Sequence, residues 1–120
     1  MAVRTFRDLI AWQKAMELAK LVYRATQDMP PDERFGLTAQ MRRAAVSVPS
    51  NIAEGHGRET RPDYLRFLRV ARGSLMELQT QLTLAEELGF MNIAPPAIEL
   101  VREVDRVLQG LIRSLEQLPP

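Results

Sequence analysis

RRAAVSVPSNIAEG, residues 42–55, interrupts a helical rhythm with a proline, two serines and an asparagine. From Leu37 onward apolar residues recur at helical spacing as Leu37, Met41, Ala44, Val48 and Ile52. Pro49 sits inside this series. It removes its own N–H from the ladder and crowds the carbonyl four residues back, that of Ala45. Such a position costs about 3 kcal/mol unless the helix bends. Ser47, Ser50 and Asn51 offer local hydrogen bonds to freed backbone groups, and Ala44, Ala45 and Ala53 leave room for a close neighbour. The stretch therefore reads as one kinked helix, about 36–54, with a break into two helices at Val48 as the alternative.

Outward from this stretch the same periodicity continues. Helix one, about 8–27, carries Leu9, Trp12, Met16, Ala19, Tyr23 and Thr26 at alternating steps of three and four. Helix three, about 62–88, carries Tyr64, Leu68, Ala71, Leu75, Leu78, Leu82 and Ala85 between Pro62 at its start and Gly89 at its stop. Helix four, about 96–117, carries Ala97, Val101, Val104, Leu108, Leu111, Leu115 and Leu118. No segment alternates with period two for long enough to make a strand. Four apolar seams with short Pro/Gly-rich connections predict an all-α fold, an antiparallel up-down-up-down bundle of roughly 30 Å. The 120 residues are a single domain, 1–120, by length.

Helix one and helix two carry more apolar surface than one bundle uses. Ile10, Ala15, Leu18, Leu21 and Val22 lie off the seam of helix one, with Ile10, Leu18 and Leu21 the larger candidates for contact, and Ala39, Val46 and Ala53 form a second line on helix two. An apolar arc this wide points to burial on two sides, so Ile10, Leu18, Leu21, Ala39, Val46 and Ala53 are expected at a homo-oligomer interface.

Composition narrows the function classes. With 46% hydrophobic and 26% charged residues the chain is of ordinary globular type, and no apolar run approaches the ~18 residues of a membrane span. The absence of cysteine removes disulfides and thiolate chemistry, and a cytoplasmic location is expected. His56 is the single histidine, with no Glu-x-x-His motif beside it, so no metal site, cofactor or serine triad is expected. His56 reads as a solvent-facing loop residue. The chain is not expected to be an enzyme.

Net charge is +1, but residues 34–72 hold eight arginines against three acids, and residues 73–120 three arginines against seven acids. Arg42 and Arg43 flank the second apolar line, Arg58 and Arg61 occupy a connection, and Arg66, Arg69 and Arg72 recur along helix three. These seven form the candidate nucleic-acid-binding set, reading phosphates rather than bases. The competing view is a solvated face paired with Glu54, Glu59 and Asp63. Aromatic residues near the set are few, Tyr64 and Phe67, so base stacking is not expected.

The blocks FRDLIAWQKAMELAKLVY, ERFGLTAQMRRAAVSVPSNIAEGHGR and YLRFLRVARGSLMELQTQL, spanning about residues 6–90, resemble a bacterial four-helix-bundle family. Its founding members are encoded by intervening sequences within 23S ribosomal RNA genes. That family resembles in turn the accessory variability determinant proteins of diversity-generating retroelements. The motif positions are Gln40, Arg42, Arg43, Ala44, Ser47, Pro49, Asn51, Glu54, Gly55, Arg58, Gly73, Ser74 and Glu77. The resemblance implies a homopentameric barrel of bundles with an RNA- or nucleic-acid-binding, ribosome-associated role, and no catalytic assignment. The alternative is a protein-interaction scaffold, an accessory subunit of a nucleic-acid enzyme such as a reverse transcriptase.

Overall fold

The computed structural model describes residues 2–119; Met1 and Pro120, the ends of the expected 1–120 domain, lie outside them. Its helices are α1 (Ile10–Ala25), α2 (Leu37–His56), α3 (Arg61–Glu87) and α4 (Pro95–Glu116). Short 3₁₀ turns at Phe6–Asp8, Thr26–Asp28 and Pro31–Glu33 flank α1 and lead into α2. Among the described residues there is no strand. No helix among them is long and apolar enough to cross a membrane.

Each helix packs on two others in the cycle α1–α2–α3–α4–α1, so the four-helix bundle read from the sequence is the fold. Across α3 and α4 the contacts pair rising with falling numbers. Ser47 meets Ser74 across α2 and α3, while Arg69 meets Glu116 and Arg72 meets Asp105 across α3 and α4. The molecule measures 49 × 25 × 21 Å. It exceeds the expected length because α3 alone has 27 residues, about 40 Å at ~1.5 Å per residue.

The core draws on all four helices. All five expected seam residues of α2 are buried, and so are six of the seven on α3, with Leu65 buried and Tyr64 half-buried. On α4 the buried line ends at Ile112, leaving Leu111 and Leu115 half-buried and Leu118 exposed.

The seam of α1 is the main correction. Its buried line is Ala11, Ala15, Leu18, Ala19 and Val22, while Trp12 and Met16 are half-buried and Tyr23 is exposed. Two apolar lines run along this helix, and periodicity alone ranks the one with larger side chains first. The smaller line is the one that faces inward: Ala11, Ala15 and Ala19 are buried where α1 packs on α2 and α4. Leu18 is 1% exposed within one chain, so it belongs to the core and not to an oligomer interface.

α2 runs unbroken through Pro49, which is buried; the alternative of two helices parted at Val48 does not occur. The local polar side chains act two residues away from the carbonyl that Pro49 frees. Asn51 donates from Nδ2 to the Ser47 carbonyl at 2.8 Å and to its Oγ at 2.9 Å. Ser47 and Ser74 share a hydrogen bond of 2.8 Å between their hydroxyls. This trio ties α2 to α3 instead of serving the Ala45 carbonyl, and Ser50 is exposed.

α3 begins on Thr60, whose hydroxyl accepts from the Asp63 N–H at 3.3 Å, with Pro62 in the first turn. It ends as expected at Gly89, with φ of 75°, and the Phe90 N–H reaches back to the Ala85 carbonyl at 2.9 Å. That is the left-handed glycine closure of a helix C-terminus.

Candidate functional site

Four of the seven candidate arginines, Arg58, Arg61, Arg66 and Arg69, sit near the α2–α3 connection and the neighbouring end of α4. Arg72 follows further along α3 against the middle of α4, and each of the five is held by a partner. Arg58 lies 3.8 Å from Glu54 and its guanidinium is 4.5 Å from the centre of the Phe67 ring. Arg66 lies 3.8 Å from Asp63 and covers the same ring at 4.6 Å. Phe67 thus carries two guanidinium contacts. Arg69 pairs with Glu116 at 2.8 Å, and Arg72 donates from Nε to Asp105 at 3.1 Å. Arg61 donates from Nη1 to the Leu118 carbonyl at 2.7 Å and the Pro119 carbonyl at 3.1 Å, neutralising the end of α4.

Arg42 and Arg43 stand apart. Arg42 precedes Arg58 by 16 residues along α2 and its C-terminal turn, about 24 Å at ~1.5 Å per residue. Arg42 fastens the end of α1: Nε donates to Thr26 Oγ1 at 2.9 Å, Nη2 donates to the Tyr23 carbonyl at 3.3 Å, and the guanidinium lies 4.6 Å from the Tyr23 ring centre. Arg43 is exposed and has no ion pair among the described residues. The expected single surface therefore divides into a corner of paired arginines and a separate region around the start of α2.

Two of the three acids anticipated as partners take that role among the described residues. They are Glu54 and Asp63 and not Glu59, and Glu116 and Asp105 arrive from α4, which no local pattern announces. His56 is likewise corrected. It is the last residue of α2, half-buried, with its ring edge-on to Tyr64 at 5.9 Å. Burial of Tyr64 pushes its phenol above the ordinary tyrosine range.

The expected interface residues also divide. Ile10, 60% exposed, lines a hollow between α1 and α4, and Leu21 lies beside α4 with Ala97 and Val101. Val46 and Ala53 line a groove of about 550 Å³ between α1 and α2, opposite Trp12, Met16 and Tyr23. Ala39 lies beyond it in a second hollow with Val46. That second hollow also holds Arg34 and Phe35, which helical periodicity does not assign to any site. The only signal for them was an arginine–phenylalanine pair in a connection, where a large exposed ring has no structural duty.

The family described as 23S rRNA-intervening sequence protein matches residues 7–112. The chain belongs to that family. The match extends past the 6–90 span of the quoted blocks into most of α4. Among solved structures, a protein of unknown function from the S23 ribosomal protein family of Bacteroides thetaiotaomicron superposes with a TM-score of 0.76 at 19% identity, covering 87% of this chain and 96% of the other. At that identity the likeness speaks to the fold, and the fold is shared along nearly the whole length of both chains. No protein with a curated description matches this one significantly.

Proposed function

We propose that this member of the family is a non-enzymatic, cytoplasmic nucleic-acid-binding protein that works as a homo-oligomer, pentameric as the resemblance implies, in association with ribosomal RNA. The observation that carries the proposal is the corner built by Arg58, Arg61, Arg66 and Arg69. Three guanidiniums there, those of Arg58, Arg66 and Arg69, face carboxylates that are themselves exposed, and the fourth, Arg61, is held by backbone carbonyls. Exposed pairs of this kind contribute ~0–1 kcal/mol each. A phosphate that accepts two N–H groups from one guanidinium competes with them readily. Repeated around a ring, the corner becomes a band of positive charge that follows a backbone without reading its bases.

The division of the apolar patches supports a ring. Ile10 and Leu21 lie toward α4, whereas Val46 and Ala53 lie in the groove between α1 and α2. A cyclic assembly beyond a dimer joins two different patches of each protomer.

The test combines light scattering with binding to a 23S ribosomal RNA fragment. Arg58→Gln, Arg66→Gln and Arg69→Gln together should leave the oligomer mass unchanged. They should weaken binding and flatten the dependence of log K on log salt by ~0.7–0.9 for every phosphate no longer neutralised. Arg42 and Arg61 are left intact because they hold helix ends. A monomer that ignores RNA, or an affinity unmoved by the triple substitution and by salt, refutes the proposal.

A further inference from the structure

Beside the first turn of α2 the chain forms a cup of about 580 Å³. Its polar and aromatic wall includes Tyr23, Arg34, Phe35, Thr38, Arg42 and Arg43, and no carboxylate lines it. Its floor includes Ala39 and Val46, the latter shared with the α1–α2 groove proposed above as a contact between copies. This differs from the α2–α3 corner, where Glu54, Asp63 and Glu116 stand among the arginines. Phe35 is 87% exposed, the largest exposure among the big apolar side chains of the described residues. Its ring lies under the Arg34 guanidinium at 5.3 Å. Tyr23 carries Arg42 on its ring, and two N–H groups of Arg42 are already committed to α1. Arg43 is exposed and brings an unmatched charge to the cup. Thr38 is more than nine-tenths buried, and its hydroxyl has no hydrogen-bond partner.

We propose that this cup binds one or two nucleotides of a single strand, with a base stacked on Phe35 and the adjoining phosphates held by Arg34 and Arg43. The proposal rests on the nucleic-acid reading above but adds a second, chemically different site. An aromatic face beside guanidiniums is the arrangement that holds unpaired bases without choosing among them. Bases in a duplex are stacked on one another and offer no free face, so the cup discriminates strand state where the arginine corner does not. The volume lies within the range of small-ligand sites, enough for a nucleotide step and too small for a helix of RNA. An apolar partner would leave Arg43 and Arg34 unpaired at the contact, a cost that a phosphate removes.

The experiment measures fluorescence anisotropy of a labelled ten-nucleotide oligouridine and of a duplex of equal length. The full chain is compared with F35A, F35W, the pair R34Q/R43Q, and the corner variant R58Q/R66Q/R69Q. Phe35 is almost wholly exposed, so F35A should keep the circular dichroism of the parent. F35A should weaken the single strand about tenfold while changing the duplex less than about twofold, in keeping with the usual worth of a base–aromatic stack. F35W should restore single-strand affinity. R34Q/R43Q should weaken the single strand and lower its salt slope by ~0.7 for each phosphate no longer held.

Normal single-strand binding by F35A and by R34Q/R43Q, with weakening only in the corner variant, overturns the cup while the corner reading stands. A change in oligomer mass for F35A with unchanged affinity per chain identifies Phe35 as a contact between copies and also overturns it. An unaltered chain that binds neither probe refutes both proposals.

Discussion

Gly55 governs how closely α2 and α3 approach. A Cβ at this position would lie 2.9 Å from the Cβ of Phe67 and 3.1 Å from both the Cδ1 and the carbonyl oxygen of Tyr64. Neither the Phe67 Cβ nor a helix carbonyl moves without its backbone, so an added methyl pushes the helices apart. Gly55→Ala should therefore destabilise by about 1–2 kcal/mol, the overpacking cost outweighing the ~1 kcal/mol of helix propensity gained. Thermal unfolding checks this, and an unchanged or higher Tm refutes it. Gly73 and Gly110 are the opposite case, helical positions where an added Cβ meets nothing within 4 Å. Gly73→Ala should raise stability by roughly 0.5–1 kcal/mol in the same assay. Arg42 is a second residue whose role rests on position, since its planar fork spans both Thr26 and the Tyr23 carbonyl. Lysine would keep the charge there without the fork.

At the scale of the element, Pro49 is the clearest test of α2. Alanine there restores an N–H to the ladder and removes the clash with the Ala45 carbonyl, so far-UV circular dichroism should show equal or greater helicity. If the proline shapes the outer face of α2, the oligomer mass changes in that variant before stability does. The N-terminal turn makes a pH prediction. N–H bonds from Arg4 and Thr5 hold the exposed Asp8 carboxyl below its ordinary range. A depressed folded pKa contributes stability that is present above the unfolded value and lost as pH falls through the folded one. Protection of the Arg4 and Thr5 amides should therefore persist at neutral pH and be lost only once pH falls below the ordinary aspartate range. Equal protection on both sides of that range refutes the assignment. Elements were the most legible level of the chain. The period of 3.6 in the apolar residues and the Pro/Gly punctuation placed each helix end within about two residues. On α1 two apolar lines satisfied the same period, and which one faces inward depends on how α2 and α4 pack against that helix.

For the whole molecule, the surfaces are what matter. Val46 is 42% exposed in the groove between α1 and α2, beside Trp12, Met16 and Pro49. Val46→Glu should leave helicity intact and reduce the mass measured by light scattering, because it places a charge in a contact that must be dry. A mass equal to the parent's would move the interface elsewhere. The candidate site was legible only as a set of charges. That arginine crowds residues 34–72 is plain from composition, but which arginines act together depends on distances across helices. Arg69 and Arg72 find Glu116 and Asp105 more than thirty positions away, and Arg42 commits its donors to α1. Phe35 escaped because an exposed ring in a connection has no periodicity to mark it. Four helices, their order, the closure of α3 at Gly89 and the family were readable from the sequence by itself, since each follows from local spacing or from residues near one another in the chain. Tertiary structure alone decided which line of α1 is buried, which guanidiniums keep a carboxylate, and that Arg34, Phe35 and Arg43 share one cup with Tyr23. Those are relations between surfaces of different helices, and packing geometry rather than local propensity sets them.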